Sequence, residues 1–423
     1  MPEAPQQMRL TINAFLNGAG TVVDVRSPGE FRQGHRPGAH NLPLFTDEQR
    51  AQVGTTYKRE GRQAAVLKGL ALVGPRLEAM GQELVRLAGL TPQEPLRLHC
   101  WRGGMRSESV AWLAQGLGLN VVVLKGGYKA YRHWVQALIG QPWPIRLLGG
   151  RTGSGKTDLL LSLQRRGVAV IDLEGLANHR GSSFGGLGLG EQPSSEHYEN
   201  LLAEALSPLE GAEAIWLEDE SAQVGRCRIP AGLWRQMKRA PLLEVRRPLD
   251  TRLDHLVATY GNQGQAPLAA ATERIAKRLG PQRTALALEA IAAGNYRCAC
   301  RQILDYYDRC YDHGLQVRSS QLGRGAVGGA AGGAPARAPQ GSPDPGAHEP
   351  PVFSPAALDA ASSQSGAGSG RPPSPDAAQP GGRGPGGAGV SAVEIGCLSA
   401  EAAADQLLAA GLIGGTQPRR SPD

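Results

Sequence analysis

Apolar and polar positions along the chain form blocks that predict strands and helices in alternation. Short β-branched or leucine-rich runs at 21–25, 96–98 and 120–124 are typical of strands, and the stretch 46–92 has apolar residues at helical spacing. Strands separated by helices favour a mainly parallel sheet, whose functional loops follow the carboxyl ends of the strands. The first part of the chain is therefore predicted to be an α/β domain.

The same alternation returns further along the chain and predicts a second α/β domain. Apolar runs at 144–149, 168–174 and 214–221 predict strands, and the last two of them end in acidic residues. Residues 158–164 predict a helix directly after the first of these strands. Residues 225–318 are rich in arginine and mostly helical.

Composition changes abruptly at residue 319. From there to residue 389 the chain consists largely of Gly, Ala, Pro and Ser and contains no lysine, so it cannot bury enough apolar surface to offset its ordering entropy. An alternating run from residue 390 and a serine-capped helix after it indicate that the fold then resumes. The predicted organisation is a first domain at 8–140, a second domain with a basic helical part at 144–318, a disordered insertion at 319–389, a returning strand and helix at 390–412, and a tail at 413–423.

Charge and cysteine content narrow the class of protein. The 423 residues include 45 Lys and Arg against 38 Asp and Glu, a formal net charge of +7, which fits an acidic partner such as nucleic acid. The six cysteines form no C-x-x-C pair, which argues against a zinc ribbon or a thioredoxin-type site. No apolar run approaches the roughly 20 residues of a membrane span, and the first 17 residues lack signal-peptide features. We therefore predict a cytoplasmic protein with reduced thiols and no membrane contact.

The residues around Cys100 predict a reactive thiol. An apolar strand runs into Cys100, and Gly103 and Gly104 let the next loop turn tightly. Ser107 is predicted to cap the following helix, so that loop and helix N–H groups, together with Arg106, favour a thiolate at Cys100. A buried structural cysteine is the alternative, because cysteine is often buried. The Gly-Gly pair and the arginine favour the reactive interpretation.

Residues 150–157 match the phosphate-loop pattern G-x-x-x-x-G-K-[ST] in the required context, after an apolar strand and before a helix. Loop N–H groups would cradle phosphates, Lys156 would add a point charge, and the Thr157 hydroxyl could hold Mg²⁺. The predicted phosphate-binding residues are Gly150, Gly153, Ser154, Gly155, Lys156 and Thr157.

Acidic residues at strand ends are candidates for a Mg²⁺ or substrate site. Asp172 and Glu174 end the second strand of this domain, and Asp219 is one of three consecutive acids, 218–220, that end the third. A carboxylate in that position orients Mg²⁺ in phosphate-transfer proteins, and the sequence leaves open which of the three does so. No dedicated metal-ligating cluster is predicted.

Two further polar regions can each be interpreted either as part of a binding site or as ordinary protein surface. His179 and Arg180 lie in a Gly- and Ser-rich loop that could face the phosphate pocket or a substrate, or could be an ordinary surface loop. Basic clusters at 226–228 and 235–239 flank Trp234, a combination that suits phosphate contact and base stacking. A solvated helical face with charge pairs is the alternative for each cluster.

Residues 20–135 resemble a rhodanese domain through Asp24-Val25-Arg26, the stretch 35–41, Gly126-Gly127-Tyr128 and the Cys100 loop. The resemblance implies that Cys100 carries a chalcogen. Five residues separate Cys100 from Arg106, one more than in common sulfur-transferring rhodaneses and as in rhodanese-like phosphatases. A wider loop suits a tetrahedral donor such as selenophosphate. The predicted donor cradle is Trp101, Arg102, Gly103, Gly104, Met105 and Ser107.

A rhodanese-like parallel-sheet domain followed by a P-loop NTPase-like α/β domain resembles the bacterial tRNA 2-selenouridine synthases. That family replaces sulfur of wobble 2-thiouridine in tRNA with selenium from selenophosphate, and can first S-geranylate the base with geranyl diphosphate. The resemblance implies that Cys100 and Arg106 are catalytic, with a perselenide forming on Cys100. It implies tRNA and a selenophosphate-supplying enzyme as partners. It also implies no tightly bound cofactor, with selenophosphate and geranyl diphosphate as co-substrates and Mg²⁺ as an option.

Two other functions remain open from the sequence. The first is a rhodanese-type sulfurtransferase regulated by a nucleotide-binding domain, in which the P-loop binds ATP rather than geranyl diphosphate. The second is a phosphatase cradle fused to a kinase-like domain. The absence of an Asp between Cys100 and Arg106 argues against a phosphatase, because no general acid is at hand in the loop.

Overall fold

The computed structural model of the protein describes residues 8–327 and 389–414. Most of the predicted insertion and most of the predicted tail lie outside these residues, so disorder there stays a prediction. The predicted start of the insertion at residue 319 is wrong, because the helix Tyr296–Val327 continues past it. No helix in the described part of the chain is both long and apolar enough to cross a membrane.

The first domain is a five-stranded sheet covered by helices. Its strands are β1 (Met8–Leu10), β2 (Val22–Asp24), β3 (His40–Asn41), β4 (Leu96–His99) and β5 (Val121–Leu124). Its helices are α1 (Ile12–Asn17), α2 (Pro28–Gln33), α3 (Asp47–Glu60), α4 (Arg62–Val73), α5 (Leu77–Ala88), α6 (Met105–Gly116) and α7 (Gly127–Gly140). The strand order is β1-β5-β4-β2-β3, and all neighbours are parallel.

The second domain repeats this architecture. Its strands are β6 (Ile145–Gly149), β7 (Val170–Ile171), β8 (Ile215–Glu218), the hairpin strands β9 (Gln223–Val224) and β10 (Cys227–Arg228), β11 (Leu242–Arg246) and β12 (Val390–Glu394). Its helices are α8 (Lys156–Arg165), α9 (Leu173–Leu176), α10 (Ser195–Leu206), α11 (Ala231–Met237), α12 (Leu249–Tyr260), α13 (Gln265–Arg274), α14 (Ala276–Leu279), α15 (Pro281–Ala292), α16 (Tyr296–Val327) and α17 (Ala400–Ala409). The main sheet has the order β12-β11-β6-β8-β7 and is entirely parallel.

The predicted α/β fold class is confirmed, and the strand composition explains it. A parallel sheet is covered on both faces, so its inner strands are buried and mostly apolar. All four residues of β5 are apolar and buried, whereas the edge strand β12 has exposed positions. The stretch 46–92 is helical as predicted, although Leu67 and Leu70 on it are exposed.

One apolar core runs through both domains. Val135 and Leu138 of α7 belong to the same buried cluster as Leu202 and Leu206 of α10 and Leu147 of β6. Burial of this shared surface removes apolar area from water, at about 25 cal/mol per Å². The two sheets are therefore parts of one packed body, with α7 and α10 between them.

Polar groups at the α7–α10 contact add hydrogen bonds to the apolar packing. The Tyr128 hydroxyl donates to Glu196 over 2.8 Å. The Asn200 amide nitrogen lies 2.8 Å from that hydroxyl and donates to the carbonyl oxygen of His35 over 2.9 Å. Arg132 of α7 donates to the Asn200 side-chain oxygen. Asn200 thus joins three groups of the first domain from a position in the second.

We predict that Asn200→Ala destabilises the protein by about 1–3 kcal/mol, because it removes three hydrogen bonds, to Tyr128, His35 and Arg132, at the part-buried contact between α7 and α10. Chemical denaturation monitored by tryptophan fluorescence measures the change. Asn120→Ala is the control, since that residue is exposed. Equal stability of the two variants would contradict a structural role for Asn200.

Candidate functional site

Cys100 directly follows β4, at the carboxyl end of the central strand of the first sheet. The prediction that Ser107 caps the next helix is wrong: α6 begins at Met105 and its N-cap is Gly104. Two glycines allow the chain to turn into the helix earlier than the serine would. Ser107 lies in the first turn instead, where its hydroxyl is 3.3 Å from Cys100 Sγ and 3.0 Å from the carbonyl oxygen of Gly104.

The Cys100 loop is held by close contact with the start of α7. Gly103 and Gly127 both have positive φ, 65° and 58°. A Cβ on Gly103 would lie 2.4 Å from the carbonyl oxygen of Leu124, and one on Gly127 would lie 2.4 Å from that of Cys100. The Tyr128 N–H donates to the Cys100 carbonyl over 2.8 Å. Only glycine fits at either position, because a side chain would separate the two loops.

A buried ionic group lies beneath this loop. Arg26 is fully buried, pairs with Asp24 over 2.6 Å, and stacks its guanidinium 3.6 Å from the centre of the Tyr128 ring. Burial opposes ionisation of Asp24, but nearby His99 and Arg26 outweigh it and hold the pKa of Asp24 below its usual range. The sequence motif contained Asp24 and Arg26, but their role as the support of the Tyr128 ring was not predicted.

The predicted cradle is only partly open. Cys100 is 3% exposed and packs in the apolar cluster of the first domain, as the structural-cysteine alternative describes. Trp101 and Met105 are exposed at 36% and 45% and form its rim. Arg106 donates to Glu30 over 2.7 Å. A bound donor would therefore have to share the Arg106 guanidinium with the Glu30 carboxylate.

The predicted phosphate loop has the geometry of a nest. Gly150, Gly153 and Gly155 have φ of 155°, 80° and 72°, so the loop curls around its own N–H groups before α8 begins at Lys156. Lys156 Nζ donates to the carbonyl oxygen of Gly150 over 3.1 Å, across the mouth of the nest. The predicted residues are thus brought together at a helix N-terminus, where anions are favoured.

A buried carboxylate cluster faces Thr157. Its hydroxyl donates to Glu218, and it also lies 3.1 Å from Glu174. Asp219, the residue singled out from the sequence, instead pairs with Arg318 over 2.6 Å. The correction follows from strand geometry: Glu218 ends β8, and successive side chains point to opposite faces. Asp172 serves as the N-cap of α9 by accepting from the Gly175 N–H.

Comparison with known proteins finds a known domain family for each of the two domains that contain these loops. A family profile described as rhodanese-like domain matches residues 11–133, and one described as tRNA 2-selenouridine synthase AAA domain matches residues 143–326. The chain is 38% identical to the tRNA 2-selenouridine synthase of Sulfurovum sp. strain NBC37-1, covering 76% of this chain and 95% of that protein. For the protein of the same name from Hahella chejuensis the identity is 39%, over 74% of this chain and 89% of that one.

The chain belongs to the tRNA 2-selenouridine synthase family. A third relative, from Shewanella loihica, is 41% identical over 58% of this chain and 66% of its own. The resemblance inferred from the sequence motifs is therefore confirmed at the level of the family.

Burial makes the carboxylate cluster of this family member hard to ionise. Burial and the neighbouring charge of Glu220 raise the pKa of Glu174 to about 8. Burial and Glu174 raise the pKa of Glu218, and burial and Glu218 raise that of Glu220. No group of three or more His, Cys, Asp or Glu residues in the described segments has a metal-holding arrangement. The charge of Lys156 lowers all three pKa values, but less than burial raises them.

The loop that contains His179 and Arg180 is compact and covers an apolar cavity. Arg180 donates to the carbonyl oxygen of Leu187 over 3.0 Å, with its guanidinium 5.8 Å from the ring centre of Tyr260. His179 is half-buried, and burial lowers its pKa. Phe184, on the same loop, is buried and points toward α12 and α16. The loop is therefore structured rather than an ordinary surface connection.

The cavity under Phe184 adjoins the phosphate loop and has a free volume of about 50 Å³. Thr152 of the phosphate loop forms one wall, and apolar side chains form almost all of the rest. Its lining residues are Thr152, Ser182, Phe184, Leu256, Val257, Tyr260, Gly261, Leu268, Ile291, Tyr296, Ala299, Cys300, Ile303, Leu304 and Tyr307. This cavity could not be predicted from the sequence, because its lining comes from six separate segments.

We predict that Glu174 contributes a loss of stability as pH rises from about 4.5 to about 8, and that Glu174→Gln removes this contribution. A carboxyl with a raised pKa keeps its proton in the folded state after the unfolded chain has lost it, so rising pH favours unfolding. Each unit of pKa shift corresponds to about 1.4 kcal/mol. Denaturation from pH 5 to pH 8 measures the difference, with Glu273→Gln on the exposed face of α13 as control. Parallel profiles for all three proteins would contradict the buried, protonated carboxyl.

Proposed function

We propose that this chain is a tRNA 2-selenouridine synthase that acts on wobble 2-thiouridine in tRNA. In this proposal geranyl diphosphate first alkylates the sulfur, and selenium from selenophosphate then replaces the alkylated sulfur. Family membership supports the tRNA reaction as a whole. The prenyl step is carried by one observation, the apolar cavity directly beside the phosphate loop.

A prenyl diphosphate matches this pair of sites better than ATP does. The phosphate loop supplies N–H donors and Lys156 for the diphosphate, whereas the cavity past Thr152 presents side chains such as Ile291 and Ile303. A nucleobase buried there would lose hydrogen bonds to water without gaining partners. The free volume holds only part of a ten-carbon chain, so the Phe184 side chain has to move outward for the remainder.

Geranyl transfer needs a good leaving group and a nucleophilic sulfur. The thiocarbonyl sulfur of the uridine attacks C1 of the geranyl group, the C1–O bond breaks, pyrophosphate leaves and the uridine N3 proton is lost. Lys156 and the loop N–H groups stabilise the charge that develops on the pyrophosphate. Thr157 and Glu218 are the residues that would hold Mg²⁺, and a divalent ion there would supply further charge neutralisation.

Replacement of sulfur by selenium uses the S-geranyl group as the leaving group. The selenium of selenophosphate bonds to C2, and the C2–S bond breaks with loss of geranylthiolate. Water then attacks phosphorus, the Se–P bond breaks, and phosphate is released with the selenium left on C2. In the proposed site, Arg106 and the loop N–H groups hold the donor phosphate next to Cys100. A perselenide formed directly on Cys100 would instead leave reduced phosphorus, so ³¹P NMR of the released product separates phosphate from phosphite.

We predict that Cys100→Ser impairs selenation and leaves geranylation intact, because the proposed selenophosphate site is the Cys100 loop and the proposed geranyl diphosphate site is the phosphate loop. Mass spectrometry of nucleosides from a 2-thiouridine-containing anticodon stem-loop measures both products. Ser107→Ala is a comparison variant that removes the hydroxyl beside the sulfur and keeps the thiol. If Cys100→Ser loses both products, the cysteine is needed for structure and the assignment of the selenation step to it is overturned.

We predict that geranyl diphosphate binds more tightly than pyrophosphate, and that Lys156→Ala weakens both by roughly tenfold or more through loss of a charged donor. Ala299→Leu, which fills the cavity, should weaken geranyl diphosphate and leave pyrophosphate unchanged. Calorimetric titration measures the affinities of each variant for geranyl diphosphate, pyrophosphate and ATP. Binding of ATP without binding of geranyl diphosphate would favour the nucleotide-regulated sulfurtransferase instead.

A further inference from the structure

A second cavity, of about 600 Å³, lies on the other side of the phosphate loop. Arg151 and Ser154 of the loop form one wall, and the end of β11 with the start of α12 forms another. Asp312, Leu315 and Gln316 of α16 and Glu394 of β12 close it. Unlike the apolar cavity, it is lined by four arginines, which are Arg151, Arg246, Arg247 and Arg252.

Three of the four arginines already have carboxylate partners. Arg151 pairs with Asp312 over 2.8 Å, and Arg246 pairs with Glu244 over 2.8 Å. Arg252, which is almost fully buried, pairs with Asp308. These pairs hold the walls in place and cancel most of the positive charge of the cavity.

Arg247 differs from its neighbours. It has no ion pair with any residue in the described part of the chain, and its Nε is buried without a hydrogen-bond partner there. Ser154, on the opposite wall, is 1% exposed, and its hydroxyl is also unpartnered within the described segments. Two unpartnered donors, one of them on an arginine that has no ion pair in the described residues, therefore line the same cavity, together with the carboxylate of Glu394. That combination fits an anion with several acceptor oxygens.

We propose that this cavity binds a backbone phosphate of the substrate RNA, next to the uridine that is modified. The inference rests on the proposed function for the identity of the RNA. A nucleoside that reaches the phosphate loop carries its flanking phosphates with it. The apolar cavity cannot take a phosphate, because a buried charge without partners is strongly unfavourable. The arginine-lined cavity is a polar space that adjoins the same loop, and Arg247 supplies a guanidinium that has no ion pair in the described residues.

The test is the salt dependence of RNA binding by the full-length protein. Each phosphate contact contributes about 0.7–0.9 to the slope of log K against log salt concentration. Arg247→Gln should weaken binding of a 2-thiouridine anticodon stem-loop roughly tenfold and reduce the slope by that amount. Arg247→Lys keeps the charge and should retain the slope. Arg86→Gln, an exposed charge change on α5, should leave the slope unchanged.

Other outcomes would overturn the proposal. An unchanged slope for Arg247→Gln would show that the arginine does not contact an RNA phosphate. A loss of ATP or pyrophosphate affinity with normal RNA binding would assign the cavity to a small phosphate ligand. If the slope changes as expected but no geranylated or selenated product forms with the wild-type protein, the phosphate contact stands and the proposed chemistry fails.

Discussion

The contact between two glycine-containing loops is the constraint on which the first site depends. Gly103 and Gly127 approach so closely that a side chain on either would overlap backbone atoms, and the Tyr128 N–H bonds the carbonyl of Cys100. The Cys100 loop is thereby fixed to the N-terminus of α7. Since α7 is packed and hydrogen-bonded against α10 of the second domain, the position of the cysteine loop is tied to the domain that contains the phosphate loop.

Charge is handled differently in the two domains. In the first, Arg26 and Asp24 are buried as a pair, and the arginine also stacks on an aromatic ring, so each charge has a partner. In the second, Glu174, Glu218 and Glu220 are buried close together with Lys156 as their nearby cation. Negative charges this close together repel each other, so they favour protonation of the carboxyls. A cation bound at the second site would relieve this repulsion.

The phosphate loop lies between two cavities of opposite chemistry. On the Thr152 side the walls are apolar, and on the Ser154 side they carry arginine and carboxylate groups. The proposed reaction between geranyl diphosphate and RNA would require an apolar surface for the prenyl chain and a polar surface for the RNA backbone at one place. Thr152 lines the apolar cavity, and Ser154, two positions later, lines the arginine-lined cavity. One short segment of chain therefore separates the two proposed binding sites.

The sequence by itself determined the features that depend on local backbone conformation and on periodicity. The parallel α/β domains, the serine-capped helix after residue 390 and the phosphate loop all follow from residues that are neighbours in the chain. Only the tertiary structure decided that Glu218 rather than Asp219 faces Thr157, that Glu30 occupies Arg106, and that Cys100 is largely covered. The pairs that decide these outcomes join residues 61 to 99 positions apart in the chain: Thr157–Glu218, Glu30–Arg106 and Asp219–Arg318. No local sequence pattern indicates which distant side chain becomes the partner.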